Sequence, residues 1–222
     1  MKEIQFNSYS EVKDRILIKP AYMNKKFMEE AERRPFVYLN RNSNSDVALV
    51  PHVIVSDSDD ALMTVKINKE TAEHWEQNEN IDVYDIYMDG MKNTAERFKP
   101  MVSVSVCDVK NCAQSLMQVE CITSDTFLVT TDSNSNGAIA MWYAGVRRHI
   151  SHLLGDTNFY VAFTSRNEAI IHKEGTISVE SIRRNIRETN RIFGDADTLS
   201  NEVWKYTAGP NFMKATFAPV LE

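Results

Sequence analysis

Apolar positions along the 222-residue chain follow two periods, and the segments that carry them succeed one another irregularly. "SYSEVKDRI" reads as a helix opening on Ser8 or Ser10, and "ILIKPAYM" as extended, because Pro20 disfavours helix at Lys19. "NKKFMEEAERR" predicts a short helix. "PFVYLN", "VALVPHVIVSD" and "ALMTVKIN" are rich in β-branched and apolar residues between polar clusters, the pattern of a strand meander turning at "SDSDD". From Lys69 to about Lys99 the period becomes helical, with Val83, Ile86, Tyr87 and Met91 on one face, and Pro100 closes it.

The second half brings new parts. "MVSVSVCDV" alternates, while "CITSDTFLVTTD" and "GAIAMWY" predict a hairpin around "SNSN". In that hairpin Trp142 and Tyr143 point to opposite faces, with the tryptophan expected inside. "GVRRHISHLLGD" predicts a helix ending at Gly155, and "NFYVAFTS" with "EAIIHK" a strand pair joined at "SRN". "SVESIRRNIRETNRIFG" is the clearest helix, with Ser178 as N-cap and Gly194 beyond its end. Irregular runs of strands and helices predict an α+β fold: a largely antiparallel or mixed sheet with helices packed on it. The chain reads as one domain over residues 1–222, whose change of style near residue 100 also allows two lobes, 1–100 and 101–222.

Composition narrows the function classes. With 43% hydrophobic residues and a net charge of −6, the chain can fill a core and has no overall attraction for nucleic acid or anionic membrane. No stretch has the apolar length of a signal sequence or a membrane span, so a cytoplasmic location without a membrane partner is expected. Cys107, Cys112 and Cys121 cannot all pair within one chain and read as reduced thiols.

"VKDRI" (Val12 to Ile16), "VKINKETAEHW" (Val65 to Trp75) and a later succession carry a family likeness. That succession is Gly137–Ala138, Tyr143, Gly145–Val146, Leu154–Gly155, Phe159–Tyr160, Ser165 and Glu168–Ala169–Ile170. Together these residues resemble a domain-of-unknown-function family of gut anaerobic bacteria, DUF5688, over most of the chain. The resemblance implies helix, strand, strand pair, a helix carrying a tryptophan, then hairpin, helix and a strand pair near the C-terminus. It implies no activity and no catalytic residue. Members usually carry more chain before the "VKDRI" segment, and Thr164 stands where the family tends to place proline.

Several constellations suggest chemistry. "DSNSNG" has the alternating oxygens and the glycine of a calcium loop, but Tyr143 stands where the bidentate glutamate belongs, and Asp132 is its only carboxylate. Asn and Gly are also what a tight turn selects, and the turn is the expected reading. The acids of "SDSDD", Asp57, Asp59 and Asp60, read as a solvated hairpin end. His149 and His152 lie three apart on one predicted helix, which could present two imidazoles to zinc with His172 or Asp156 as a third ligand. His52, beside Pro51, reads as a core or edge histidine. No Walker, dinucleotide or "GxSxG" motif is present, so no cofactor is expected and no residue is assigned a catalytic role.

Charge supplies the most useful asymmetry. Residues 147–194 hold eight Lys or Arg against five acids, a net of +3 that leaves −9 to the rest. Arg183, Arg187 and Arg191 recur every four residues beside Val179, Ile182 and Ile186, a stripe suited to phosphates or an acidic protein face. The leading expectation is a non-catalytic module that binds an acidic protein surface through this helix or a sheet edge. The alternative is a hydrolase-like or metal-assisted enzyme using His149, His152 and His172. Nucleic-acid binding is disfavoured by the acidic remainder.

Overall fold

Ala48 to Pro51, four consecutive residues, are buried in a computed structural model of the chain, which describes residues 6–40, 44–58, 61–104, 113–115, 125–194, 197–209 and 215–220. An unbroken apolar run of this kind suits a strand covered on both faces. The fold is α+β, and its contacts divide it into two compact units: residues 1–41 with 48–97, and residues 42–47 with 98–222. Cys107, Cys112, Cys121, Asp59 and Asp60 lie outside the described residues.

The first unit holds a three-stranded sheet in the order β1 (Ile16–Tyr22), β2 (Val47–Asp57), β3 (Leu62–Lys66), with β2 and β3 antiparallel and a register shift between Ile54 and Ser56. Alternate β2 residues serve two cores. Ala48 and Val50 join Phe27 of α1 (Lys25–Arg33) and Phe36, whereas Val53 joins Trp75 of α2 (Lys69–Glu79) and Ile86 of α3 (Val83–Arg97). Both short helices open on the side chain of an asparagine, Asn24 accepting from Phe27 N and Asn68 from Thr71 N. Helix α3 covers β1, an edge strand, and buried Thr94 Oγ1 accepts the Ile18 amide at 2.8 Å.

Two expectations fail in this unit. "SYSEVKDRI" is turns and a single 3-10 turn, Lys13–Arg15, instead of a helix. The Tyr9 amide donates to the Glu79 carboxylate, its hydroxyl donates to Asp89 Oδ2 at 2.8 Å, and Tyr9 and Val12 enter the core, so tertiary contacts displace a segment too short to sustain helix. "PFVYLN" makes only isolated bridges, Phe36 with Asn68 and Leu39 with Leu49, rather than a strand. Pro35 carries no amide to extend a ladder. At the other end of the hairpin, Asp57 accepts two 2.8 Å bonds from the Arg97 guanidinium, which holds its carboxyl below the usual range.

Among the described residues of the second unit seven strands form one antiparallel sheet, and the order is β10, β9, β7, β8, β6, β4, β5. They are β4 (Pro100–Val104), β5 (Ala113–Ser115), β6 (Thr126–Thr131), β7 (Phe159–Ala162), β8 (Ala169–Lys173), β9 (Val203–Thr207) and β10 (Thr216–Pro219). Helix α4 is Ala144–Leu153 and α5 is Val179–Phe193. The short crossing segment is tied in by Asp46, which accepts from Ser200 Oγ (2.7 Å) and Asn201 N (2.8 Å); burial raises its pKa.

The expected hairpin after Asp132 does not form. Strand β6 pairs instead with β4 and β8, and Gly137–Trp142 is a 3-10 helix leading into α4. Gly137 to Met141 are all buried, so this run is apolar on every side, and a short apolar run does not separate strand from buried helix. The turn before it takes two left-handed residues, Asn134 (φ 52°) and Asn136 (φ 54°). The residue order at its end is also reversed. Tyr143 is buried with its hydroxyl donating to Phe98 O at 3.2 Å, while Trp142 is half-buried and stacks on Phe163, against Trp204 and Phe217. No helix among the described residues is long and apolar enough to cross a membrane.

Candidate functional site

Helix α5 owes its position to a narrow buried stripe. Ser178 Oγ accepts the Ser181 amide, and Gly194 at φ 75° follows the last turn. Ile182, Ile186 and Asn190 face inward at fourfold spacing: the isoleucines pack on Ala162 and Val203, and Asn190 Nδ2 donates to Ser200 O and Asn201 Oδ1, both at 2.9 Å.

The predicted stripe divides on this frame. Arg183 borders the buried face with 12% of its side chain exposed, its Nη2 donates to Val220 O at 3.3 Å, and its Nε lies 4.0 Å from a Glu202 carboxylate oxygen. That contact is Coulombic, too long for a hydrogen bond. Arg187 and Arg191 are exposed, and exposed Arg184 joins them. Spacings of three and four place Arg184, Arg187 and Arg191 together on the outer side. Glu180 and Glu188 are exposed on the same helix, yet among the described residues no carboxylate pairs with any of the three arginines. Ile192 stands beside them, 78% exposed.

Helix α4 buries Val146, Ile150 and Ser151, and the Ser151 hydroxyl donates to Thr157 O at 2.8 Å. Arg147 donates to Met141 O and lies over the Phe217 ring. On the outer side Gly145, Arg148, His149, His152 and Asp156 line an open cleft of about 520 Å³. Gly155 (φ 84°) and Asp156 (φ 59°) turn the chain back in left-handed conformations, which brings Asp156 Oδ1 to 3.3 Å from His152 Nδ1.

His172 does not join this cleft. Strand β8 alternates, so His172 shares the face of Ile170, which packs with Ile182 and Ile186 of α5, and burial lowers its pKa. Trp142 and Arg147, by contrast, pack over Phe163 and Phe217 on the other face, that of Phe159 and Tyr206. The three histidines therefore stand on opposite sides of the sheet, and among the described residues no group of three His, Cys, Asp or Glu could hold a metal ion. In the first unit, His52 Nδ1 lies 3.1 Å from Thr64 Oγ1 on a half-buried strand position.

A polar row escaped the sequence reading. Thr126, His172, Tyr160 and Lys205 are register partners across β6, β8, β7 and β9. Glu174 caps the row, accepting from Lys205 Nζ, from Asn158 Nδ2 at 2.8 Å and from the Tyr160 hydroxyl at 3.3 Å. Those bonds, the lysine first, lower the Glu174 pKa. A depressed carboxylate contributes stability above its ordinary value of 4.5 and loses it as pH falls through the lower folded value. The melting temperature should therefore drop as the solution is acidified from about pH 4.5 down through that lower value, and Glu174→Gln should flatten the dependence in a series of thermal melts.

The sequence profile described as a family of unknown function, DUF5688, matches residues 1–208 of this chain. The chain belongs to that family. No curated protein and no solved structure matches it. In this chain the two arrangements above, an arginine face on α5 and a histidine cleft on α4, are thus the local chemistry from which a role can be argued.

Proposed function

We propose that this DUF5688 chain is a non-catalytic binding module whose outer α5 face receives an acidic segment of another protein. The observation that carries this reading is the cluster of Arg184, Arg187 and Arg191, exposed on one side of a firmly capped helix without a carboxylate partner among the described residues. Such a cluster repels itself in the isolated chain and is relieved by an anionic surface. Exposed Ile192 adds an apolar contact at one end, which favours an acidic peptide carrying hydrophobic residues over a bare polyanion. Arg183 serves the fold in this reading. The enzyme reading has less support, because His172 is parted from His149 and His152, and Ser151 of α4 is buried with its hydroxyl committed.

The test is fluorescence anisotropy with a labelled oligoglutamate peptide interspersed with leucine. Arg184→Glu, Arg187→Glu and Arg191→Glu together should weaken binding about tenfold or more, as should raised salt, without shifting the melting temperature. Arg183→Ala should instead lower the melting temperature and spare the affinity. Equal binding by the wild type and the triple variant would remove α5 as the docking face. Binding of duplex DNA in preference to the peptide, with a steep salt slope, would reassign the face to nucleic acid.

A further inference from the structure

The side chains of the α4 cleft take no part in the α5 reading. Gly145, Arg148, His149 and His152 follow the spacing i, i+3, i+4 and i+7, which is one face of a helix, and this face opens on the cleft while Val146 and Ile150 take the buried side. Each of the three side chains can donate to an anion. Arg148 offers a permanently charged planar fork that matches two phosphate oxygens, and the imidazoles offer further N–H groups. Among the described residues Asp156 is the one acid lining the cleft, and it lies against His152 Nδ1, which leaves the opposite ring nitrogen for a ligand. A cation site would need the reverse composition, rich in carboxylates or with three ligands converging.

We propose that this cleft binds the phosphate group of a phosphomonoester. Arg148 engages two of its oxygens, His149 and His152 donate to the others, and Asp156 acts as a positioning residue for His152. A volume of about 520 Å³ exceeds what a phosphate ion occupies, so the organic part of the ester has room beside Gly145, whose position carries no side chain.

Titration of the full chain with phenyl phosphate and with inorganic phosphate, followed by calorimetry and by histidine NMR shifts, tests this. Saturable binding that moves the His149 and His152 resonances is expected, tighter for the ester. Arg148→Ala should raise Kd about tenfold, the loss expected for a charge-assisted hydrogen bond. Asp156→Asn keeps a hydrogen-bonding group and removes the negative charge, so its Kd should stay within about threefold, whereas loss of a cation ligand would abolish binding. Inorganic phosphate bound as tightly as the ester would keep the phosphate chemistry and drop the organic subsite. No saturation by either anion, an Arg148→Ala variant with wild-type affinity and melting temperature, or zinc binding in place of phosphate would overturn the proposal.

Discussion

Gly137→Ala should destabilise the protein by about 3–5 kcal/mol, among the largest effects of any single methyl group added to this chain. A Cβ built there would stand 2.0 Å from Asn167 O, 2.6 Å from Thr130 Oγ1 and 2.8 Å from Thr130 Cα. Two of those atoms are backbone, so no rotamer change relieves the contact. The surroundings are also stitched to the β7–β8 connection. Asn136 N donates to Asn167 Oδ1 at 2.9 Å, Ala138 N donates to Arg166 O at 3.1 Å, and Thr130 Oγ1 donates to Asn167 O at 2.8 Å. Making room for the methyl breaks bonds to buried groups in addition to overpacking the site. Gly145→Ala is the internal control: it lies within α4, nothing comes within 4 Å of its added Cβ, and alanine should gain about 0.5–1 kcal/mol there. Urea unfolding of the two variants decides the matter, and a Gly137→Ala midpoint equal to wild type would mean that the turn does not approach β6 and Asn167 this closely.

The same turn shows where the sequence was legible and where it was not. Elements with a strong period and a recognisable cap were readable: α1 and α2 begin on Asn24 and Asn68, α5 lies between Ser178 and Gly194, and β2 and β3 flank a polar turn. "GAIAMW" has no period to read, because a segment buried all round is apolar whatever its conformation. Strands β9 and β10 were missed although "VWKYT" carries the β-branched and aromatic residues of a strand.

At the candidate site the spacing put three arginines along one side of the helix but did not show where the buried stripe runs. Arg183 falls at its edge, beside buried Ile182 and Ile186, while Arg187 and Arg191 are exposed. Arg184 completes the outer set. The pairing of His149 with His152 follows from local spacing and was visible. The position of His172 depends on which face of β8 meets α5, a consequence of long-range register that no local pattern encodes.

Trp75→Ala should cost about 3–5 kcal/mol, through lost burial and the cavity left in the first unit. The side chain is fully buried at 0% exposure, on the inner face of α2 with Thr71 and Ala72, and it packs against Val53 of β2, Ile86 of α3 and Tyr9, whose ring centroid is 5.3 Å away in an edge-on arrangement. Its removal therefore strips contacts from two elements and from the Tyr9 turn at once. Phenylalanine should fare much better. The Trp75 Nε1–H is buried without a hydrogen-bond acceptor among the described residues, so the wild type already bears the desolvation of that group, and Trp75→Phe removes it along with part of the ring. The net cost of the phenylalanine variant should be about 1–2 kcal/mol, the volume loss being partly offset by the relief of the unsatisfied donor. Thermal and urea unfolding followed by circular dichroism separate the two variants. If alanine and phenylalanine cost the same, the indole N–H has an acceptor and the argument from its desolvation fails; if neither costs more than about 1 kcal/mol, Trp75 is not at the centre of this core.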